Sequence, residues 1–312
     1  MIANMNKPKL KIEILPKYIS ASALNAYETM SNTFFVEKCI HDRKPRTPAG
    51  LAANVGTAFD IAVKLKLIDK GVGICGRMTR EQIEDSLDIN EHTPKARDLG
   101  KRILMEYTRA GLLRNSPSAP LRRAFHQVEG KIEFVIGGVP ILAMLDAIVT
   151  DESTGELAPF DWKVIGGAAE SGASAKKGYA GTCDCGQWDN KGHKSYHKEI
   201  PIEEIDKAFG TQFTMYGWAV QSLAAPQSQV SLDFKPFPVH FDSAVFNGAG
   251  RNIKIYAYRA IATVEWQEKV YKRLKKMWND LTERDGEKLL DRLESRINLA
   301  SVKDAAGRES WF

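Results

Sequence analysis

Asp146 is the first residue whose surroundings point to chemistry. It is the only polar residue in the segment ILAMLDAIV. The apolar neighbours predict a strand that is covered on both faces. An ionised carboxylate in such a strand is costly unless a partner or a metal ion compensates it. A position at the edge of a turn, or hydrogen bonds from backbone amides, would be the purely structural explanation.

The next predicted strand, APFDWKVI, carries an acid and a base two residues apart. Because side chains alternate along a strand, Asp161 and Lys163 share one face and the apolar residues share the other. The short connection ESTGEL favours antiparallel pairing, which would bring Asp146 beside Asp161. Paired carboxylates need a cation, and oxygen ligands favour Mg²⁺ or Mn²⁺. Lys163 could orient or deprotonate a water, or stabilise developing negative charge. A surface Asp/Lys ladder is the alternative.

Two predicted helices add polar residues at helical spacing. Gln212 and Tyr216 are four residues apart in GTQFTMYGWAV and therefore lie on one helix face, where both could donate to a phosphate. An ordinary core position is the alternative for Tyr216. Gly56 and Asp60 have the same spacing in GTAFDIAVK, and Asp60 is the only acid of that helix. We expect Asp60 to face the metal.

The elements that must position these residues follow from hydrophobic periodicity and turn residues. Helices are expected over 20–38, 52–69, 94–111, 203–224 and 263–283, with a further one in GEKLLDRLESRINLA. Strands are expected over 125–136, 139–149, 157–165, 229–242 and 252–259, with a loop-rich insertion over 166–200. This order predicts a mixed α/β fold, with a central mixed β-sheet flanked by helices. We expect an N-terminal helical region (1–120), a core (121–262) and a C-terminal basic helical region (263–312).

These elements resemble the PD-(D/E)xK nuclease superfamily, particularly its RecB-like and phage-exonuclease branch. The S-x-S-x-L-x-x-Y helix of the family is similar to YISASALNAY, and its G-x-x-x-H helix is similar to Gly56 to Asp60. Its G-x-x-D, D-x-K and Q-x-x-x-Y elements match ILAMLDAIV, FDWKV and Gln212 to Tyr216, in the family's order over roughly residues 18–220. Two departures stand out: Asp60 replaces the family histidine, and Ala143 replaces a glycine.

The resemblance implies a restriction-endonuclease-like core and a Mg²⁺- or Mn²⁺-dependent deoxyribonuclease. It implies an exonuclease of phage DNA metabolism, recombination or repair, which acts on duplex ends or single strands in the cytoplasm, as a homo-oligomer or with a recombination partner. Lys163 would be the catalytic lysine, and Gln212 and Tyr216 would hold the substrate. The implied metal ligands are Asp146, Asp161, the main-chain carbonyl of Trp162, Asp60 and Glu129. A structure-specific endonuclease, or an inactive nucleic-acid-binding protein with this fold, are the alternatives.

The insertion carries a second group of metal-ligand types. Cys183, Cys185, His193 and His197 form C-x-C-x7-H-x3-H, which could hold a structural Zn²⁺. The spacing differs from that of zinc fingers, so an unliganded polar loop is the alternative. The same segment is basic and contains Tyr179, Trp188 and Tyr196, a combination that suits contact with single-stranded nucleic acid.

The composition sets outer bounds on these expectations. The chain has a net charge of +5 and a pI near 8.8, which is compatible with a polyanionic partner. Its four cysteines do not indicate a disulfide framework, and no apolar run is long enough for a membrane span. The N-terminus lacks the features of a secretion signal. Basic residues that could contact phosphate, or simply face solvent, are Arg122, Arg123, Lys269, Lys272, Arg273, Lys275 and Lys276.

Overall fold

A computed structural model describes residues 17–29, 51–75, 79–88, 94–109, 111–113, 123–166, 200–205, 207–246 and 253–282. The chain divides into two compact units. The larger unit lies within Pro48–Val270, and the smaller one combines the described parts of Met1–Thr47 and Tyr271–Phe312. Among the described residues, no helix is long and apolar enough to cross a lipid bilayer.

The larger unit is built on a mixed sheet to which the described residues contribute eight strands. The strands are β1 (Gly73–Ile74), β2 (Arg123–Ile136), β3 (Val139–Asp151), β4 (Leu157–Gly166), β5 (Ile200–Pro201), β6 (Gln229–Val230), β7 (Phe237–Phe246) and β8 (Ile253–Ala262). Their order is β1-β2-β3-β4-β7-β8-β5, and β6 pairs with β2. β2, β3 and β4 form an antiparallel meander, and β4 and β7 are parallel.

Helices flank this sheet, which confirms the mixed α/β prediction. The α-helices of the described residues are α1 (Ala21–Thr29), which belongs to the smaller unit, and α2 (Leu51–Ile68), α3 (Arg80–Asp88), α4 (Pro94–Arg109), α5 (Lys207–Ser222) and α6 (Val264–Thr282). Pro94 begins α4, and Gly111, with φ +73°, follows its end. Ser20 accepts a hydrogen bond from the amide of Ala23 at 3.2 Å and so caps α1. The expected continuation of this helix to residue 38 lies outside the described residues.

The predicted strand over 229–242 is wrong in extent, because it is two separate strands. β6 ends at Val230 and β7 begins at Phe237. Pro236 lies just before β7 and has no amide hydrogen to donate to a ladder. The short elements β1 and β5 and the helix α3 were also missed. β1 and β5 have two residues each, and the nine residues of α3 include only two apolar ones, Ile83 and Leu87.

Both faces of β4 are covered, each by a different set of helices. Phe160 and Trp162 belong to a buried apolar cluster that also contains Phe59 of α2 and Tyr107 of α4. On the opposite face, Phe213 of α5 stacks on Phe241 of β7, at 4.9 Å between ring centroids. In the parallel register of β4 and β7, Phe241 is the partner of Asp161. The helix α5 therefore covers the face of the sheet that carries Asp161.

Close approach of the backbone fixes where α2 and α4 meet. A Cβ atom built at Gly100 would lie 2.9 Å from the amide nitrogen of Phe59, closer than real contacts allow. Glycine at this position lets α4 pack directly against the backbone of α2. The position of α2 beside the sheet decides where Asp60 points.

The expectation that β3 is covered on both faces is wrong for the part of the strand before Asp146. Ile141, Ala143 and Leu145 are buried, but Met144 on the other face is 50% exposed. An antiparallel hairpin can leave one face to solvent, and an apolar sequence does not reveal which face that is. The Asp146 side chain is 24% exposed and so lies at a water-accessible edge of the core.

Candidate active site

A cavity of about 320 Å³ lies where α2, β3, β4 and α5 meet in the larger unit. It gathers side chains from four separate segments of the sequence, and most of the polar ones were predicted site residues. The lining consists of Ala53, Gly56, Thr57, Phe59, Asp60, Asp146, Asp161, Trp162, Lys163, Val164, Gln212 and Tyr216.

Asp146 and Asp161 are neighbours because of how β3 pairs with β4. The antiparallel ladder includes the pair Ala147 and Phe160, so the next positions on the two strands are Asp146 and Asp161. No further pair follows in this ladder. Instead, the amide of Trp162 donates to Asp146 Oδ2 at 2.8 Å. The Asp146 carboxylate thus takes the place of a backbone acceptor where the strands separate, which is the predicted juxtaposition.

A polar chain continues from Asp161 across the cavity to α5. Lys163 Nζ lies 2.6 Å from Asp161 Oδ2, in an ion pair of two residues on one strand face. The amide of Gln212 lies between them, accepting from Lys163 Nζ at 3.3 Å and donating to Asp161 Oδ1 at 3.5 Å. It also donates to Tyr216 Oη at 2.7 Å. The four-residue spacing of Gln212 and Tyr216 therefore presents both side chains to the cavity that Asp161 also lines.

Lys64 is a site residue that the sequence analysis missed. Its side chain is only 4% exposed, and its Nζ lies 2.5 Å from both Asp60 Oδ2 and Glu129 Oε2. Asp146 Oδ1 is 3.9 Å from the same nitrogen. The signal was present in the sequence, since Asp60 and Lys64 are four residues apart and share a helix face. Lysines near the end of a helix are common, so this spacing alone was not distinctive.

Glu129 reaches Lys64 from an unusual backbone conformation. It has φ +57°, the left-handed region, although it lies within the strand β2. Its neighbours Val128 and Gly130 pair with Ala147 and Leu145, which puts Glu129 opposite Asp146. A non-glycine residue in this conformation costs about 1–3 kcal/mol and persists only where surrounding contacts hold it. The strand irregularity is thus located next to the carboxylates.

We refer to Asp60, Lys64, Glu129, Asp146, Asp161 and Lys163 together as the carboxylate cluster. In it, four carboxyl groups face two ammonium groups, so negative charge is in excess. Burial raises the pKa of Asp60 to about 7, with Asp146 and Glu129 adding to the effect and Lys64 opposing it. Burial likewise raises the pKa of Asp161 to about 7, against the influence of Lys163. In each case burial is the largest cause, and the neighbouring lysine offsets it only in part.

The protonation states of Lys163 and Tyr216 restrict the roles that the sequence left open for them. Burial lowers the pKa of Lys163, but the charges of Asp161 and Asp146 outweigh it and raise the pKa above its usual value. Lys163 is therefore an ammonium at neutral pH, which favours charge stabilisation over deprotonation of a water. Burial and the same two acids raise the pKa of Tyr216, so its phenol stays neutral and can donate a hydrogen bond.

The residues present have the chemistry that a divalent cation requires, although the side chains are arranged around lysines. Among the described residues, no group of three or more His, Cys, Asp or Glu side chains is arranged to hold a metal ion as it stands. Lys64 and Lys163 contact the carboxylate oxygens that would be ligands. Asp60 Oδ1, however, is buried and accepts no hydrogen bond from the described residues. A buried carboxylate oxygen without a donor, beside other hard oxygen ligands, fits Mg²⁺ or Mn²⁺.

A second group of buried charges, not predicted from the sequence, lies on the face of the sheet that carries Phe160 and Trp162. Arg123 donates to both oxygens of Asp242, at 2.8 and 2.6 Å. Asp151 Oδ2 accepts from Arg259 Nε at 2.6 Å and lies 2.7 Å from His240 Nε2. All five side chains are nearly inaccessible to solvent. We call them the arginine network. Arg123 is therefore a buried structural residue, and its role as a phosphate contact is corrected.

Other predicted features are not part of the cavity lining or fall outside the described residues. The serines and tyrosine of the S-x-S-x-L-x-x-Y helix belong to the smaller unit, where Tyr27 donates to Asp280 at 2.7 Å. On α6, Arg273 pairs with Glu28 at 2.6 Å and Lys276 pairs with Asp280. Residues outside the described segments are Cys183, Cys185, His193, His197, Tyr179, Trp188, Tyr196 and Arg122. Comparisons with protein-family models, curated proteins and solved structures found no match for the chain.

Proposed function

We propose that the chain is a metal-dependent DNA nuclease with a restriction-endonuclease-like core, and that the carboxylate cluster is its catalytic centre. One observation carries the proposal: Asp146, Asp161, Lys163, Gln212 and Tyr216 line a single cavity. These residues come from three separate segments and include neighbouring carboxylates, a protonated lysine and two hydrogen-bond donors. Such a set is suited to phosphodiester hydrolysis, which needs stabilisation of negative charge on a phosphate.

Asp146 and Asp161 would hold the divalent cation, with the carbonyl of Trp162 and with Asp60 as further oxygen ligands. The bound cation would polarise the scissile phosphate and lower the pKa of a water. Lys163 would stabilise the negative charge that develops on the phosphate oxygens as water attacks phosphorus and the P–O bond breaks. Gln212 and Tyr216 would donate hydrogen bonds to non-bridging oxygens and hold the backbone in line.

A second candidate function has a specific observation in its favour. Lys64 and Lys163 already contact the carboxylates, so the cluster is partly neutralised without a metal ion. A catalytically silent nucleic-acid-binding protein could retain such an arrangement. It would bind DNA with no metal-dependent cleavage, which separates it from the nuclease.

Substitution of Asp161 by asparagine tests the nuclease proposal. Asp161→Asn keeps the shape of the side chain and removes the charge. We expect Mg²⁺-dependent cleavage of end-labelled linear duplex to fall by about three orders of magnitude, while DNA binding is retained. Glu156→Gln, at an exposed position next to the same strand, is the matched control. Undiminished cleavage by Asp161→Asn would exclude the cluster as the catalytic centre.

The form of the DNA distinguishes the kinds of nuclease. We propose an exonuclease, which degrades linear duplex or single strands and leaves covalently closed circular DNA intact. Cleavage of the circle would indicate a structure-specific or sequence-tolerant endonuclease on the same core. Binding to all three substrates with no cleavage in Mg²⁺ or Mn²⁺ would indicate the silent binding protein.

A further inference from the structure

We propose that Lys64 is a resident cation that occupies the place of a second metal ion, so that the cluster takes up a single divalent ion at Asp146 and Asp161. The inference rests on the proposed cation site and specifies how many ions it holds. It makes Lys64 a positioning residue, since it would act through the carboxylates rather than on substrate.

The Lys64 ammonium lies at a point where three carboxylates from three elements converge. Asp60 comes from α2, Glu129 from β2 and Asp146 from β3. Two of the oxygens are 2.5 Å from Nζ and the third is 3.9 Å away. Mg²⁺ binds carboxylate oxygens at 2.0–2.1 Å. Only a modest contraction would bring the oxygens of the two short contacts to metal-ligand distance, and Mg²⁺ commonly keeps waters as its remaining ligands.

The ammonium is held too firmly to be a loosely placed surface charge. Lys64 is 4% exposed, whereas Lys66, two residues further along the same helix, is exposed. Asp60, Glu129 and Asp146 surround the ammonium group of Lys64, so three acids compensate the charge inside the protein. A buried lysine enclosed by acids supplies a positive charge at one end of the cluster.

Asp146 connects this end of the cluster to the proposed metal end. Its Oδ1 faces Lys64 at 3.9 Å, and its Oδ2 accepts from the amide of Trp162 at 2.8 Å. Asp161 and Lys163 lie next to it on β4. One divalent ion between Asp146 and Asp161 would therefore be flanked by Lys64. Two-metal nucleases place their ions about 3.5–4 Å apart and use both to stabilise charge. Here, the lysine would supply part of that charge.

Removal of the ammonium should open a second metal site. We expect Lys64→Met to bind one more equivalent of Mn²⁺ than the unaltered chain, measured by isothermal titration calorimetry and by the Mn²⁺ electron paramagnetic resonance signal. Lys64→Gln should behave in the same way, and Lys66→Met is the matched control with no gain. Adding Glu129→Gln to Lys64→Met should abolish the extra equivalent. An unchanged Mn²⁺ stoichiometry in both Lys64 variants would overturn the proposal.

Folding supplies a second readout, because uncompensated carboxylates destabilise the variants when metal is absent. Thermal unfolding of each Lys64 variant should shift to higher temperature on adding Mn²⁺, by more than the shift of the unaltered chain. If a variant folds only with Mn²⁺, the proposal is supported. If neither variant folds with or without Mn²⁺, it is contradicted, because Mn²⁺ then does not replace the ammonium.

Cleavage by the unaltered chain separates the two proposals. A gain of one Mn²⁺ in Lys64→Met, with no cleavage of any DNA by the unaltered chain, would support the resident cation and refute the nuclease. Cleavage by the unaltered chain, with no gain of Mn²⁺ in either Lys64 variant, would refute the resident cation and leave the nuclease standing.

Discussion

The larger unit contains two groups of buried charged residues that differ in the ratio of acidic to basic side chains. In the arginine network, two arginines face two aspartates, and the histidine between them is neutral. Asp151 is fully buried, and although burial alone would raise its pKa, hydrogen bonds from His240 and Arg259 keep that pKa well below its usual range. In the carboxylate cluster, acids outnumber bases, and the pKa values of Asp60 and Asp161 rise to about 7.

The difference separates structural charges from charges that are available for chemistry. The arginine network is closed in charge: Arg123 donates two hydrogen bonds to Asp242 and also lies 4.4 Å from the centre of the Phe160 ring. It joins β2, β3, β7 and β8, and no cation is needed to complete it. Four members of the carboxylate cluster, Asp60, Asp146, Asp161 and Lys163, line a cavity. Asp60 Oδ1 is a buried oxygen without a donor in the described part of the chain. An excess of negative charge beside a cavity is what a cation site requires.

The largest loss of stability is expected from breaking the arginine network. Asp242→Ala would leave the Arg123 guanidinium buried without its acid. We expect the free energy of unfolding to fall by about 3–5 kcal/mol, the typical cost of removing one partner of a buried ion pair. Urea denaturation followed by circular dichroism measures the change.

Replacing both members of that pair provides the control. Arg123→Met combined with Asp242→Leu removes both charges together, so it should cost much less than Asp242→Ala alone. If the free energy of unfolding of Asp242→Ala is within about 1 kcal/mol of that of the unaltered chain, the arginine network does not stabilise the fold. The contrast drawn with the carboxylate cluster would then be wrong.

Protonation of His240 should lower the stability of the fold in acid. Burial lowers the pKa of His240 to about 4, with Arg123 and Arg259 adding to the effect and Asp151 opposing it. A folded-state pKa below the unfolded value of about 6.5 gives stability that is present above pH 6.5 and is lost as the pH falls to about 4. We expect a loss of up to about 3 kcal/mol from this residue over that range.

His240→Gln isolates this contribution because glutamine can still donate to Asp151 but does not titrate. Unfolding in urea at pH 7 and at pH 4.5 should show a smaller acid-induced loss for His240→Gln than for the unaltered chain. Equal losses in the two proteins would mean that His240 is not held neutral by its surroundings.

The strands that carry the site could be predicted because their chemistry is local. Asp161 and Lys163 alternate with Phe160 and Trp162, and the short connection from β3 fixes the antiparallel pairing that brings in Asp146. The arginine network could not be predicted in this way. His240 and Asp242 alternate with apolar residues, a pattern typical of a half-exposed strand, yet every residue of β7 is buried. Only the position of β7 next to β4, inside the sheet, explains that burial.

Lys64 could not be predicted for a different reason, which is that most of its partners are distant in the sequence. Its partner Asp60 is local, but Glu129 and Asp146 come from strands whose position beside α2 depends on packing. The close approach of α2 to α4 at Gly100 and the left-handed backbone at Glu129 are both tertiary features. Sequence spacing therefore revealed the acids of the cluster and Lys163, but not Lys64.

Direct measurement of Mn²⁺ binding tests the central claim, which is that the excess of carboxylates forms a cation site. Isothermal titration calorimetry should show binding by the unaltered chain, and Asp146→Asn should weaken it at least about tenfold, which corresponds to about 1.4 kcal/mol. Glu156→Gln, which changes an exposed acid outside the cluster, should bind as the unaltered chain does. Equal Mn²⁺ affinity in Asp146→Asn and the unaltered chain would contradict the account.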